Sequence, residues 1–344
     1  MSVPEHSDRN AKVSGPRSVP AQMPRNGEFD FSLGVWEADV LSRERPLSDG
    51  RWNKFHGSVI IRPFWEGAAN LEEFVLVGDT GRRQGLSLRI YQSLQRQWNI
   101  YQSTSGSGVL SAPMRGIFAE SEGAFVGQTR VEGRNCLARL TYSDISPESH
   151  RVAQEVSSDG GSSWFQNWEA RLNKRDSPMP AQDTEPDSSE RKPDFDFHFG
   201  TWTTHVARKL EPLDPGGDWV DYEGSSEVTS VWGRTASLFE LKVSGPAGEI
   251  QGAGLRLFNP SSGQWSLNWA NRRAGEIVPP AMFGDFRDGE GVFFSQETYD
   301  GRAIFSRNRF FEVTPASCRF DQSFSTDRGK TWITNWKMQF ARRL

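Results

Sequence analysis

The sequence predicts an all-β protein built of two tandem antiparallel barrels. Three observations predict this. The chain repeats itself once along most of its length, apolar and polar residues alternate with period two in both copies, and hairpin-turn signals recur between those runs. No segment shows a sustained helical period.

The repeat appears when the 344-residue chain is slid along itself. Asp30-Phe31-Ser32-Leu33-Gly34-Val35-Trp36 matches Asp196-Phe197-His198-Phe199-Gly200-Thr201-Trp202 at an offset of 166. Trp52, Gly57, Trp65, Gln84-Gly85 and Gln97-Trp98 match Trp219, Gly224, Trp232, Gln251-Gly252 and Gln264-Trp265 at 167. Asp159, Gly161, Trp164, Asn167 and Trp168 match Asp327, Gly329, Trp332, Asn335 and Trp336 at 168. A register that drifts by only two residues means two copies of one domain-sized unit, 29–175 and 195–344. Solenoid repeats are far shorter.

Strands follow from the alternation. Leu86, Leu88 and Ile90 alternate with Ser87, Arg89 and Tyr91, and Ala253, Leu255 and Leu257 with Gly254, Arg256 and Phe258. Ser48-Asp49-Gly50, Asp159-Gly160-Gly161, Asn259-Pro260 and Asp300-Gly301 supply turns. Each unit therefore reads as about eight to ten short strands. Closing the sheet removes exposed edges that otherwise pair with other chains. Residues 1–28 are polar and proline-rich and lack the apolar core of a secretory signal, so a disordered arm is expected there. Residues 176–194 lie within a Pro-, Ser- and charge-rich stretch that reads as a flexible linker.

Composition excludes several function classes. A net charge of −4 is a poor match to nucleic acid, and no apolar run is long enough to span a membrane as a helix. Cys136 and Cys318 fall at non-equivalent places, so reduced thiols and a cytoplasmic location are expected. The five histidines make no zinc spacing, and no nucleophile elbow, phosphate loop or dinucleotide fingerprint is present. Gly106-Ser107-Gly108 reads as loop. No metal or resident cofactor is expected.

Both ends of each copy carry a motif. Phe-Asp-Phe-x-x-Gly-x-Trp opens it, and Ser-x-Asp-x-Gly-x-x-Trp-x-x-Asn-Trp closes it, at Ser157–Trp168 and Ser325–Trp336. Together they resemble a family of bacterial lipocalin-like (calycin) domains of unknown function. The resemblance implies a barrel with an internal ligand cavity and implies no reaction. The second copy follows the family pattern through Leu255–Pro260 and Trp265–Trp269. The first departs from it at Trp98–Gln102 and across Ser103–Ser111. The closing motif also resembles the Asp-box of sialidases, whose carboxylate, glycine and tryptophan shape a turn. A single such element per domain does not make a propeller.

Aligning the copies sorts candidate residues. Twelve of thirteen tryptophans form matched pairs and are assigned to the shared scaffold. Trp269 alone is unpaired, facing Gln102 in the alignment, and becomes a candidate pocket wall. Polar residues shared by the copies are Glu73/Glu240, Arg89/Arg256, Arg139/Arg307, Gln154/Gln322 and Asn167/Asn335. Arg89 and Arg256 sit opposite leucines and are placed on the solvent face; turned inward, they would need partners. Asn308 and Arg309 replace Leu140 and Thr141. His198 and His205 flank the opening of the second copy and are expected at its surface.

The expected function is binding of a small, partly apolar or aromatic molecule in a barrel cavity of the second domain. Trp269, Trp265, Leu267, Phe239, Asn308, Arg307 and Gln322 are its candidate contacts. The two barrels are expected to pack on each other. The alternative is a cofactor-independent cyclase, isomerase or hydratase of polyketide or terpenoid chemistry. Two-domain lipocalin-like proteins include such enzymes. There Trp269 would be the stacking surface, and Glu240 or Arg309 the catalytic polar group, in the barrel or the inter-barrel cleft. Nitrobindin-like barrels bind haem through one histidine, which makes His198 and His205 candidate ligands in a third reading. A fourth is a pure interaction scaffold.

Overall fold

A computed structural model describes residues 27–177 and 193–343. The expected N-terminal arm and linker lie outside the described residues, apart from their edges. The first unit contains β1 (Gly34–Arg43), β2 (Trp52–Phe64), β3 (Ala69–Gly78), β4 (Gly81–Gln92), β5 (Gln97–Thr104), β6 (Met114–Ala119), β7 (Glu122–Val131), β8 (Arg134–Ser143), β9 (Ser149–Ser157) and β10 (Phe165–Arg175). The second contains β11 (Gly200–Lys209), β12 (Trp219–Val231), β13 (Ala236–Gly245), β14 (Gly248–Asn259), β15 (Gln264–Asn271), β16 (Glu276–Arg287), β17 (Glu290–Tyr299), β18 (Arg302–Phe311), β19 (Ser317–Ser325) and β20 (Ile333–Arg342). Within each unit every strand pairs antiparallel with its sequence neighbours, and the last strand pairs with the first. The result is two closed ten-stranded barrels.

The opening motif plugs one end of each barrel. A 3₁₀ turn, Gly27–Ser32 or Pro193–His198, precedes the first strand. Its Phe29 or Phe195 is fully buried among aromatic rings. The following tryptophan ties the turn down: Trp36 Nε1 donates to the Ser32 carbonyl and Trp202 Nε1 to that of His198. Trp98 and Trp265 do the same from the sheet, donating to Glu28 and Asp194.

The closing motif is a turn held by its own side chains. Asp159 Oδ1 accepts from the Ser163 amide at 2.9 Å, and Asp327 Oδ1 accepts from the Thr331 amide at 2.9 Å. The Ser157 and Ser325 hydroxyls donate to the same carboxylates. Outside the turn, the shared Arg139 and Arg307 stack on Trp164 and Trp332 at 4.5 and 4.3 Å. These residues therefore serve the scaffold in both copies.

The two barrels pack through equivalent faces. One apolar cluster joins Trp65, Ala69, Leu71, Leu86, Leu88 and Ile90 to their counterparts Trp232, Ala236, Leu238, Ala253, Leu255 and Leu257. Such reciprocity is the pattern of a two-fold contact between like subunits. It extends to the backbone. Gly275, at φ +69°, lies so close to Gln92 that an added Cβ would stand 2.6 Å from its Cα. The equivalent Gly108 presses in the same way on Asn259. Trp232 Nε1 donates to the Gly85 carbonyl, and Asn99 Nδ2 to that of Gly275.

This interface overturns one sequence expectation. The leucines of β4 and β14 face the other barrel, so Arg89 and Arg256 point into the barrel interiors. They are only 1% and 4% exposed. Both faces of these strands are buried, and period two alone cannot say which is the inside. His198 likewise is fully buried, not superficial. The two cysteines are free and buried. No described helix is long and apolar enough to cross a membrane.

Candidate functional site

Each barrel holds a cavity. The first encloses about 420 Å³ and the second about 300 Å³. Their walls are built from equivalent positions occupied by different residues. Glu72, Gln102, Tyr142, Val152, Ala170 and Leu172 line the first. Phe239, Trp269, Phe310, Phe320, Met338 and Phe340 stand at the same positions in the second. The second cavity is smaller because its wall is more aromatic.

Trp269 owes its position to glycines on the next strand. A Cβ on Gly252 would lie 2.1 Å from the Trp269 ring, and Gly254 is its register partner. With no side chain beneath it, the indole lies across β14. On its other side the β15–β16 ladder slips, pairing Leu267 with Met282 but Trp269 with Val278. Pro279 and Pro280 lie in the slip and have no amide to give the ladder. Val278 and Pro280 are exposed and line the cavity, so its mouth opens here.

The floor of the second cavity is Arg256. Its guanidinium carbon lies 4.3 Å from the centre of the Phe195 plug ring, and rests beside Phe239 and Phe310. Its Nη2 donates to His198 Nδ1 at 3.1 Å. Burial pulls its pKa down to about 9, against a small opposing effect of the Cys318 thiol. Burial, then the Arg256 and Arg342 charges, hold His198 neutral well below the usual histidine range. Gln322 and Asn308 add polar atoms to the wall.

The first cavity solves the same problem differently. Arg89 ion-pairs with Glu72 and also donates to Asn70 Oδ1 at 3.1 Å. Tyr142, packed against this pair, has its phenol pushed up to about 12, mainly by burial. Ser103, Ser107 and Ser111, from the stretch that departs from the family pattern, line this cavity.

Of the residues singled out from sequence, Trp269, Leu267, Phe239, Asn308 and Gln322 come together on the second cavity's wall. Trp265 lies beyond it, in the plug cluster around Phe195. Arg307 faces outward on Trp332. Arg309 also faces outward, its Nε 3.0 Å from Asp321 Oδ1. Glu240 is half-buried on the outer face of β13, paired in register with Glu227. Burial, then the Glu227 charge, push its carboxyl up to about 7. Glu240 and Arg309 thus do not meet Trp269. His205 lies on the outside, 3.0 Å from Asp221, and neither it nor His198 lines the cavity.

Two residues discussed from sequence line the cavity against expectation, and Phe310, Phe320, Met338 and Phe340 were not singled out at all. Arg256 was placed on the wrong face of its strand. Trp336 was assigned to the scaffold because Trp168 matches it, yet both line cavities. A role shared by the copies can be a cavity wall.

The fold and site define a class: a tandem β-barrel protein with an internal cavity in each barrel. The chain matches no protein-family model and no curated protein. Among solved structures it is similar to the S-type phycobiliprotein lyase CPES from Guillardia theta, at 13% identity and a TM-score of 0.32, over 44% of this chain and 90% of that one. It is also similar to a protein of unknown function from the DUF3598 family of Nostoc punctiforme, at 10% identity and a TM-score of 0.27, over 94% and 100%. A designed fluorescence-activating β-barrel, at 16% identity and a TM-score of 0.24, covers 44% of this chain with 100% of its own. At these values none of them bears on ligand or reaction.

Proposed function

We propose that the protein binds a small, partly apolar or aromatic molecule in the cavity of its second barrel. The observation that carries this reading is the aromatic-walled space of about 300 Å³ opening beside Trp269. Ligand sites are of this kind: concave, mostly apolar, with a few convergent polar groups. Trp269 supplies a flat surface for stacking, and Phe239, Phe310 and Phe340 add further aromatic wall.

Titration with 2-naphthol, a neutral fused-ring probe, tests this reading by calorimetry. Saturable binding is expected, weakened by at least ~10-fold in Trp269→Ala through loss of one aromatic wall. Gln102→Ala, at the equivalent place in the first barrel, leaves that binding unchanged. Equal binding by wild type and Trp269→Ala, or no saturable binding at all, contradicts the reading.

A further inference from the structure

The two barrels form an internal comparison. Each carries an arginine at the same position of the same strand, buried to 96% or more and pointing into the barrel interior; Arg256 lines its cavity, whereas in the first barrel the partner Glu72 does. In the first barrel, Glu72 on the neighbouring strand ion-pairs with Arg89. In the second, Phe239 stands where Glu72 would be. Among the described residues no carboxylate forms an ion pair with Arg256. Its Nη1 has no hydrogen-bond partner at all, and its Nη2 has only the neutral His198 ring.

An arginine in water-excluded surroundings needs an anion. The surroundings of Arg256 are instead three phenyl rings and a neutral imidazole. Ring faces attract a cation but leave the in-plane N–H groups free. Arg256 itself lines the cavity. Glu297 also lines that cavity but is engaged by the Ser295 hydroxyl. Asn308 Oδ1 is a second buried polar atom on the wall without a partner.

We propose that the ligand of the second cavity is an aromatic or apolar carboxylic acid, whose carboxylate docks on the Arg256 guanidinium in the place that Glu72 takes beside Arg89. This rests on the small-molecule reading above and adds the charge of the ligand to it. The ring system stacks on Trp269 at the mouth, and the acid group leads toward the floor. The planar fork of the guanidinium suits a carboxylate, and the burial of Arg256 strengthens the pair. The first cavity, which already contains its own carboxylate, has no such preference.

The test compares 2-naphthoate with 2-naphthamide, equal in ring and shape but differing in charge, by calorimetry on the full chain. Wild type is expected to prefer the acid by at least ~10-fold, the effect of one charge-assisted hydrogen-bond pair. Arg256→Met removes that preference. Phe239→Glu installs the internal carboxylate of the first barrel and also removes it, whereas Phe239→Gln, similar in size but uncharged, retains it. The last pair keeps the test valid if Arg256→Met fails to fold. Equal affinity of wild type for acid and amide overturns the proposal while leaving small-molecule binding intact. So does a preference that survives Phe239→Glu. Failure of both probes to bind overturns the proposal together with the reading it rests on.

Discussion

Glu72→Gln removes the one carboxylate that, among the described residues, pairs with the fully buried Arg89. Taking one partner from a buried ion pair costs about 3–5 kcal/mol, because the remaining charge stays desolvated. The low end applies here. Asn70 still accepts one hydrogen bond from Arg89, and the Glu72 side chain is 16% exposed. A loss of about 3 kcal/mol corresponds to a fall in Tm of ~6–12 °C for a domain of this size. Urea unfolding followed by tryptophan fluorescence measures it. The double variant Glu72→Gln/Arg89→Met removes the stranded charge and is expected to recover much of the loss. A loss below ~1 kcal/mol in Glu72→Gln, or no recovery in the double variant, refutes the idea that these cavities need their arginines paired.

Other consequences follow from the same geometry. Glu240 has its folded-state pKa raised from 4.5 to about 7, so its burial favours the protonated form and stability falls as pH rises between those values. Glu240→Gln is therefore expected to match wild type near pH 4.5 and exceed it above pH 7 in urea midpoint; a constant difference across the range counts against it. Asp327 is held down at about 2 by the Thr331 amide and hydroxyl and by Ser325, so its contribution is present above its ordinary 3.8 and lost as pH falls toward 2. The stability gap between wild type and Asp327→Ala should close on acidification over that window, and a gap that persists contradicts the turn's assigned role. Gly275→Ala and Gly301→Ala both place a side chain at φ +69°, but a Cβ at Gly275 meets the other barrel, whereas a Cβ at Gly301 points into open space. Thermal unfolding should show Gly275→Ala as clearly the more damaging; equal effects would mean that the inter-barrel contact bears no load.

The barrels were legible from the sequence because duplication and period-two alternation are written in the residue pattern and need no knowledge of tertiary contacts. Phe239, Leu267 and Trp269 share the cavity wall because each lies on the inward phase of its strand, and Asn308 and Gln322 follow the same rule on β18 and β19. Glu240, Arg307 and Arg309 are on the opposite phase, which a reading by residue chemistry alone did not weigh. Arg256 was hidden for a subtler reason. Its strand carries leucines on the face that the other barrel covers, so the more apolar face is the outer one. Nothing local in β14 announces a second barrel. Comparing Glu72 with Phe239 across the repeat would have exposed the missing carboxylate, but only once Arg89 and Arg256 were known to point inward.

The central claim is that the second barrel receives a small molecule between Trp269 and Arg256. A crystal structure of the full chain soaked with 2-naphthoate tests it most directly. Ring density is expected against the Trp269 indole, with carboxylate oxygens within hydrogen-bond reach of Arg256 Nη1. A barrel whose cavity is filled by its own Trp269 and Phe340 side chains, with the probe absent or bound elsewhere, would contradict it.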